Sequence, residues 1–158
     1  MEYFVLDGKE IDLKAMEYPN RKIGVIVHIY DEQGNIMLQQ RGPKSRDENG
    51  LYEDVGGKFE ESDSDYKTAI VREMIEEMGA DIQIELSDAV GVYHCFKNNI
   101  NWVFIIFLGK YISGEAKLME PGKCLGYRFF SYEKAINSQK VSESSKYLIR
   151  KIKQFHGC

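Results

Sequence analysis

GGKFEESDSDYKTAIVREMIEEMGADI, residues 56–82, decides the reading of this chain. The cluster Ser62–Asp65 supplies helix N-caps, and Gly79 suits the residue just past a helix end. The spacing therefore predicts a helix from about Ser64 to Met78. At about 100° per residue, Tyr66, Ile70, Val71, Met74, Ile75 and Met78 fill one half of its circumference, the expected buried face. Glu73, Glu76 and Glu77 share another arc, as i, i+3 and i+4 neighbours do. Ala69 sits one turn earlier on that arc and leaves room for something to approach the carboxylates. Like charges at i, i+4 cost about 0.2–0.5 kcal/mol per pair. Carboxylates in the last turn oppose the helix dipole by about 0.3–1 kcal/mol each. Arg72 offsets part of this by pairing with Glu76. A solvated face would put acids first and bases last, whereas here Lys67 comes early and the glutamates late. A divalent cation removes both costs. Oxygen ligands without His or Cys select Mg²⁺ or Mn²⁺ over zinc.

Outward from this stretch, Gly56-Gly57 permits close approach of backbone to a ligand, and Lys58 adds a cation suited to phosphate. Upstream, EYFVLDGKEIDL places an Asp-Gly turn between two short extended runs, predicting an N-terminal hairpin. RKIGVIVHIY (Arg21–Tyr30) is apolar on both faces and reads as a central strand. IMLQQR (Ile36–Arg41) completes a second hairpin, and LYEDV leads into the glycines. Downstream, strands are expected at Ile82–Leu86, Ala89–Phe96, Trp102–Ile112 and Gly126–Tyr132. A terminal helix follows, capped by Ser142 or Ser144, with Tyr147, Leu148, Ile152 and Phe155 at helical spacing. Together these predict an α/β fold, an α/β/α sandwich around a mixed, mainly antiparallel sheet.

The 158 residues suit one domain spanning 1–158, with 43% hydrophobic and 29% charged residues. No run of about 18 apolar residues exists to span a bilayer. The first 20 residues lack a secretory pattern, so a cytoplasmic location is expected. The net charge of −4 argues against strong nucleic-acid binding. Cys95, Cys124 and Cys158 read as reduced thiols, and His28, His94 and His156 have no zinc spacing.

Residues 56–80 resemble the Nudix box. The second half matches closely, as Arg72-Glu73-Met74-Ile75-Glu76-Glu77-Met78-Gly79 followed by small Ala80. The first half departs. One residue more than the pattern separates Gly57 from Arg72, and the usual upstream glutamate falls on Asp63 or Ser64. Glu60 and Glu61 are out of register, and Val55 stands where proline is common. The resemblance covers about residues 20–155 and does not carry 1–19.

The resemblance implies Mg²⁺- or Mn²⁺-dependent hydrolysis of a nucleoside diphosphate linked to another group, a small-molecule partner, and a fold in which homodimers are common. It implies Glu73, Glu76, Glu77 and the Gly57 carbonyl as metal ligands, and Arg72 as their orienting cation. Arg41 and Lys58 would face substrate phosphates. The general base would be a box glutamate or a late-loop acid, here Glu120, with Glu115 behind it. Trp102, Tyr127 and Phe129 are base-stacking candidates, with Tyr127 the one carried into the substrate site. His94 and Cys95 read as packing residues beside the same cleft. Two other readings share the fold: a non-catalytic ligand sensor, and an isoprenoid-diphosphate isomerase. The latter uses a cysteine before the box, and this chain has none before Cys95.

Overall fold

The computed structural model describes residues 2–5, 15–45 and 49–156. Residues 6–14, which hold the second arm of the expected N-terminal hairpin, lie outside the described residues, as do Cys158 and the side chain of Phe155. The strands are β1 (Glu2–Val5), β2 (Arg21–Tyr30), β3 (Ile36–Arg41), β4 (Tyr52–Glu53), β5 (Val55–Lys58), β6 (Gln83–Leu86), β7 (Gly91–Lys97), β8 (Ile100–Ser113) and β9 (Cys124–Phe130). The helices are α1 (Tyr66–Met78), α2 (Tyr132–Asn137) and α3 (Glu143–His156).

The strands form a single mixed sheet with the path β1-β7-β8-β2-β3-β4. Its spine is the parallel pairing of β2 with β8 from Arg21↔Asn101 to Tyr30↔Lys110. The other pairings are antiparallel. β2 and β3 pair only at their hairpin end, through Ile29↔Met37 and Tyr30↔Ile36. Beyond that, β5 replaces β3 beside β2, with Val25 opposite Gly57 and Ile26 opposite Gly56. The described strand β1 pairs with β7.

Alternation along the two spine strands builds two cores, as side chains pointing to opposite faces require. Val25, Val27, Ile29, Val103, Ile105 and Phe107 pack with Ala69, Ile70 and Met78 of α1. On the opposite face Ile26, Phe104, Ile106 and Leu108 pack with Leu148 and Ile152 of α3. A third cluster joins Ile36, Leu38 and Phe130 to Ala135 of α2 and Ile149 of α3. The expected sandwich of a sheet between helices is therefore the fold.

Three expectations need correction. Val71 and Ile75 are exposed rather than buried. The face of α1 against the sheet is instead Ala69, Ile70, Glu73 and Met78, with Tyr66 and Met74 partly covered. Ala69 thus fills the core instead of opening space over the carboxylates. The strand expected to run to Tyr132 ends at Phe130, because Ser131 caps α2 by accepting from the Lys134 amide at 3.2 Å. The terminal helix is capped by Ser142, whose Oγ accepts from the Ser145 amide at 3.2 Å.

Candidate active site

The helix begins one residue after Asp65, whose carboxylate accepts from the Thr68 amide at 2.7 Å. It ends at Gly79, where a φ of 81° suits a residue without a Cβ. The last-turn carbonyls find partners: Ile75 from the Gly79 amide, Glu77 from the Tyr127 hydroxyl at 2.6 Å, and Met78 from the Lys117 amide at 2.8 Å. The loop after β8 is thereby docked on the end of α1. The cap contributes no positive charge, since no basic residue lies in the last turn.

Arg72 gathers the surrounding acids. Its Nε and Nη2 donate to the two oxygens of Asp63, each at 2.9 Å. Nη2 also donates to the Lys58 carbonyl at 3.1 Å. Nη1 donates to Glu73 at 3.0 Å and Glu76 at 3.2 Å. All five guanidinium N–H groups are used, which a lysine could not reproduce. Asp63 in turn accepts from the Glu60 amide at 2.9 Å, closing the loop before the helix. The hydrogen bond from Arg72 holds the Asp63 carboxyl below its ordinary range, and Asp63 raises the Arg72 guanidinium in return. Of the two positions left open by the extra residue, it is Asp63 that meets the box arginine.

Glu73 and Glu77 have different surroundings. Glu73 lies over Gly57, where a Cβ would fall onto its carboxyl group. Burial raises its pKa, and Arg72 opposes the shift. Burial pushes Glu77 up to about 8, helped by the charges of Glu73, Glu120 and Glu53 and opposed by a hydrogen bond from Gln39. Its Oε2 is buried and has no hydrogen-bond partner. Desolvation and neighbouring acids both favour the neutral form of such a carboxyl, or its pairing with a cation.

A divalent ion fits these residues: the donors are all oxygen, Gly57 opens the backbone beneath Glu73, and Glu77 keeps an orphaned buried oxygen. The set is not closed around an ion as it stands. Among the described residues no three His, Cys, Asp or Glu side chains converge into a metal-ligating group. Glu76 is turned onto Arg72 with its side chain half exposed.

Beside Gly56 and Gly57 opens a cleft of about 210 Å³, on the α3 side of the sheet. Arg41, Lys58 and Lys97 line it with Glu53, Asp54, Tyr93, Cys95, Trp102 and Phe104. The structure brings Arg41 and Lys58 into this cleft, with the Arg41 guanidinium also donating to Glu53 at 2.8 Å. Trp102 stacks on Phe104, centroids 5.4 Å apart and planes 6° from parallel. Cys95 lines the cleft rather than serving only as packing. His94 faces away, stacked on Tyr18 at 3.8 Å and within 2.8 Å of Asn101 Oδ1. Tyr127 and Phe129 are not among the cleft residues: Tyr127 anchors α1 by its hydroxyl, and Phe129 packs edge-on against Tyr111. Glu120 is near enough to Glu77 for its charge to act there, while Glu115 is exposed in the same loop.

Glu53, Asp54 and Gln39 were not singled out from the sequence. The pair Glu53-Asp54 directly before Gly56-Gly57 was the available signal. It reads as ordinary strand-edge polarity until β3 and the helix are placed around it.

The family model described as NUDIX domain matches residues 20–152. A curated relative, the CTP pyrophosphohydrolase of Escherichia coli, is 39% identical over 64 residues. That match covers 40% of this chain and 46% of the relative, so it spans about half the relative's length. Among solved structures, a MutT protein from Methanosarcina mazei Go1 superposes with a TM-score of 0.74 at 24% identity, covering 88% of this chain and 96% of that one. A MutT NUDIX hydrolase from Burkholderia pseudomallei gives 0.67 at 23% identity, covering 85% and 99%. At these identities the two structures speak for the fold.

Proposed function

This chain belongs to the Nudix family, and from that premise we propose that it is a pyrophosphohydrolase of small nucleotides, with Mg²⁺ or Mn²⁺ as cofactor. The proposed reaction splits the phosphoanhydride of a nucleoside diphosphate linked to another group. In this proposal residues 1–158 form one domain and the protein is cytoplasmic. No described helix is long and apolar enough to cross a membrane. The observation that carries the proposal is Glu77, a partly buried residue whose carboxyl keeps one buried, orphaned oxygen among the charges of Glu73, Glu120 and Glu53.

Glu73, Glu76, Glu77 and the Gly57 carbonyl would hold the cation. When bound, it neutralises phosphate oxygens and lowers the pKa of water. Arg72 positions two of the carboxylates, keeping Glu73 and Glu76 within reach of one side of α1. Lys58 and Arg41 offer charge to the phosphates from the cleft wall. Hydrolysis forms one P–O bond from water and breaks the P–O bond of the leaving group. The proton of the attacking water goes to a carboxylate. Glu120 is proposed for that role: it lies on the docked loop after β8 and its field reaches Glu77.

The test is turnover of a nucleotide panel with and without Mg²⁺ or Mn²⁺, following release of nucleoside monophosphate, phosphate and pyrophosphate. Metal-dependent release from at least one nucleotide is expected. Silence across the panel in both metals, with folded protein, overturns the reading in favour of a ligand-binding module.

A further inference from the structure

The cleft contains a group that phosphate binding does not explain. Asp54 lies in the irregular step between β4 and β5, and its side chain is 2% exposed. Its backbone amide donates to Ser145 Oγ at 3.1 Å, which ties the step to α3. Its Oδ1 lies 3.3 Å from His28 Nδ1, a fully buried ring on β2. Its Oδ2 is buried with no hydrogen-bond partner. The backbone of Asp54 is therefore tied to α3 and one carboxyl oxygen to His28, while the other oxygen retains unmet acceptor capacity.

An acid at this place is wrong for a pocket meant only for phosphates, since like charge would oppose them. The cations Arg41, Lys58 and Lys97 and the acid Asp54 line one cleft, together with Tyr93 and the stacked rings of Trp102 and Phe104. Such a cleft offers charge for phosphates, flat aromatic surface for a ring, and an acceptor for a donor on that ring. An unpartnered carboxyl oxygen is satisfied by a donor, and the donor that the rim of a nucleobase offers is an N–H.

We propose that Asp54, held by His28 and Ser145, selects nucleotides whose base carries an exocyclic amine, by accepting a hydrogen bond from that amine. The inference rests on the nucleotide reading above and adds the substrate class. A base with a carbonyl at the same position presents an acceptor to an acceptor. It leaves both groups buried and unsatisfied, which is how a hydrogen-bonding site rejects an analogue.

Two matched pairs test the amine: cytidine against uridine nucleotides, and adenosine against inosine nucleotides. Each pair exchanges the amine for a carbonyl and turns the neighbouring ring nitrogen from an acceptor into an N–H donor. Binding of the monophosphates to the full-length protein is measured by calorimetry. Turnover of the triphosphates is measured in parallel with Mg²⁺. The expected result is at least about tenfold preference for the amine member of one pair. In Asp54→Asn, whose amide can donate to a carbonyl, that preference collapses or inverts, with turnover of the carbonyl member rising. Equal affinity for both members of each pair in the wild-type protein overturns the proposal, whether or not the variant folds. So does a preference that Asp54→Asn leaves unchanged, which would make the Asp54–His28 pair a structural contact. Amine preference in binding without any turnover would keep this inference while removing the pyrophosphohydrolase reading.

Discussion

Asp63 and Glu77 are carboxyl groups at the two ends of one stretch, and their surroundings are opposite. Asp63 accepts two hydrogen bonds from Arg72 and one from the Glu60 amide, and its pKa is lowered. Glu77 is packed among other acids with an orphaned oxygen, and its pKa is raised to about 8. The first arrangement stabilises the protein as it stands. The second costs stability until something positive arrives. Glu73 lies between them, sharing Arg72 with Asp63 and repelling Glu77. Within one helix and its preceding loop, the satisfied acid is the one that braces the structure, and the frustrated acid is the one proposed to hold the cation.

The comparison can be broken most severely at Glu77. Glu77→Gln keeps shape and removes the charge, and is expected to lower metal-dependent turnover by at least about 10²-fold. Without metal the variant should melt at the same temperature as the wild type or higher. Next in size, Arg72→Ala leaves Asp63 and Glu73 without their cation, and should cost about 3 kcal/mol in urea unfolding, the upper end for hydrogen bonds to charged groups. Arg72→Lys should recover only part, since an ammonium cannot replace the five-bond fork. Asp63→Ala should cost less, about 1–3 kcal/mol, with turnover falling through a looser Arg72 rather than through lost metal affinity.

The pH dependence of the two acids should run in opposite senses. Asp63 has a folded pKa below 3.8, so its contribution is present above that value and lost as pH falls through the folded pKa. Glu77 has a folded pKa of about 8 against an ordinary 4.5. Its protonated form favours folding, so this contribution is full below pH 4.5 and is lost as pH rises through about 8. Thermal melts of metal-free protein from pH 4.5 to 8.5 should fall with pH, and Glu77→Gln should flatten that slope. A smaller effect belongs to the cleft. Arg41→Ala should raise KM by about tenfold with little change in kcat, and should slightly loosen Glu53.

Much of this was legible because local signals agreed. β2 and the end of α1 lie where composition and Gly79 put them, and the carboxylate arc on α1 drew attention through its unfavourable placement. Tertiary facts were not legible. Nothing in Arg21–Tyr30 or Trp102–Ile112 announces that they pair in parallel, which places two distant residues at each step of the spine. Val71 and Ile75 have the periodicity of a buried face, but the sheet meets α1 at Ala69, Ile70 and Glu73 instead. Ser131 as a cap was masked by the aromatic run Phe129–Phe130, which continues strand composition to the cap. The role of Asp63 depends on how a loop closes over Arg72 nine positions later, which spacing narrowed to two residues. Asp54 and Glu53 gained meaning only once β3, β5 and α3 enclosed them.

The most direct test of the central claim is Mg²⁺ and Mn²⁺ binding to wild-type and Glu77→Gln protein by titration calorimetry at pH 7, in buffers of different ionisation enthalpy. The account predicts that the wild type binds the ion and releases protons as it does so, since Glu77 must ionise, and that Glu77→Gln binds weakly without that release. Equal affinity in the two proteins would contradict it.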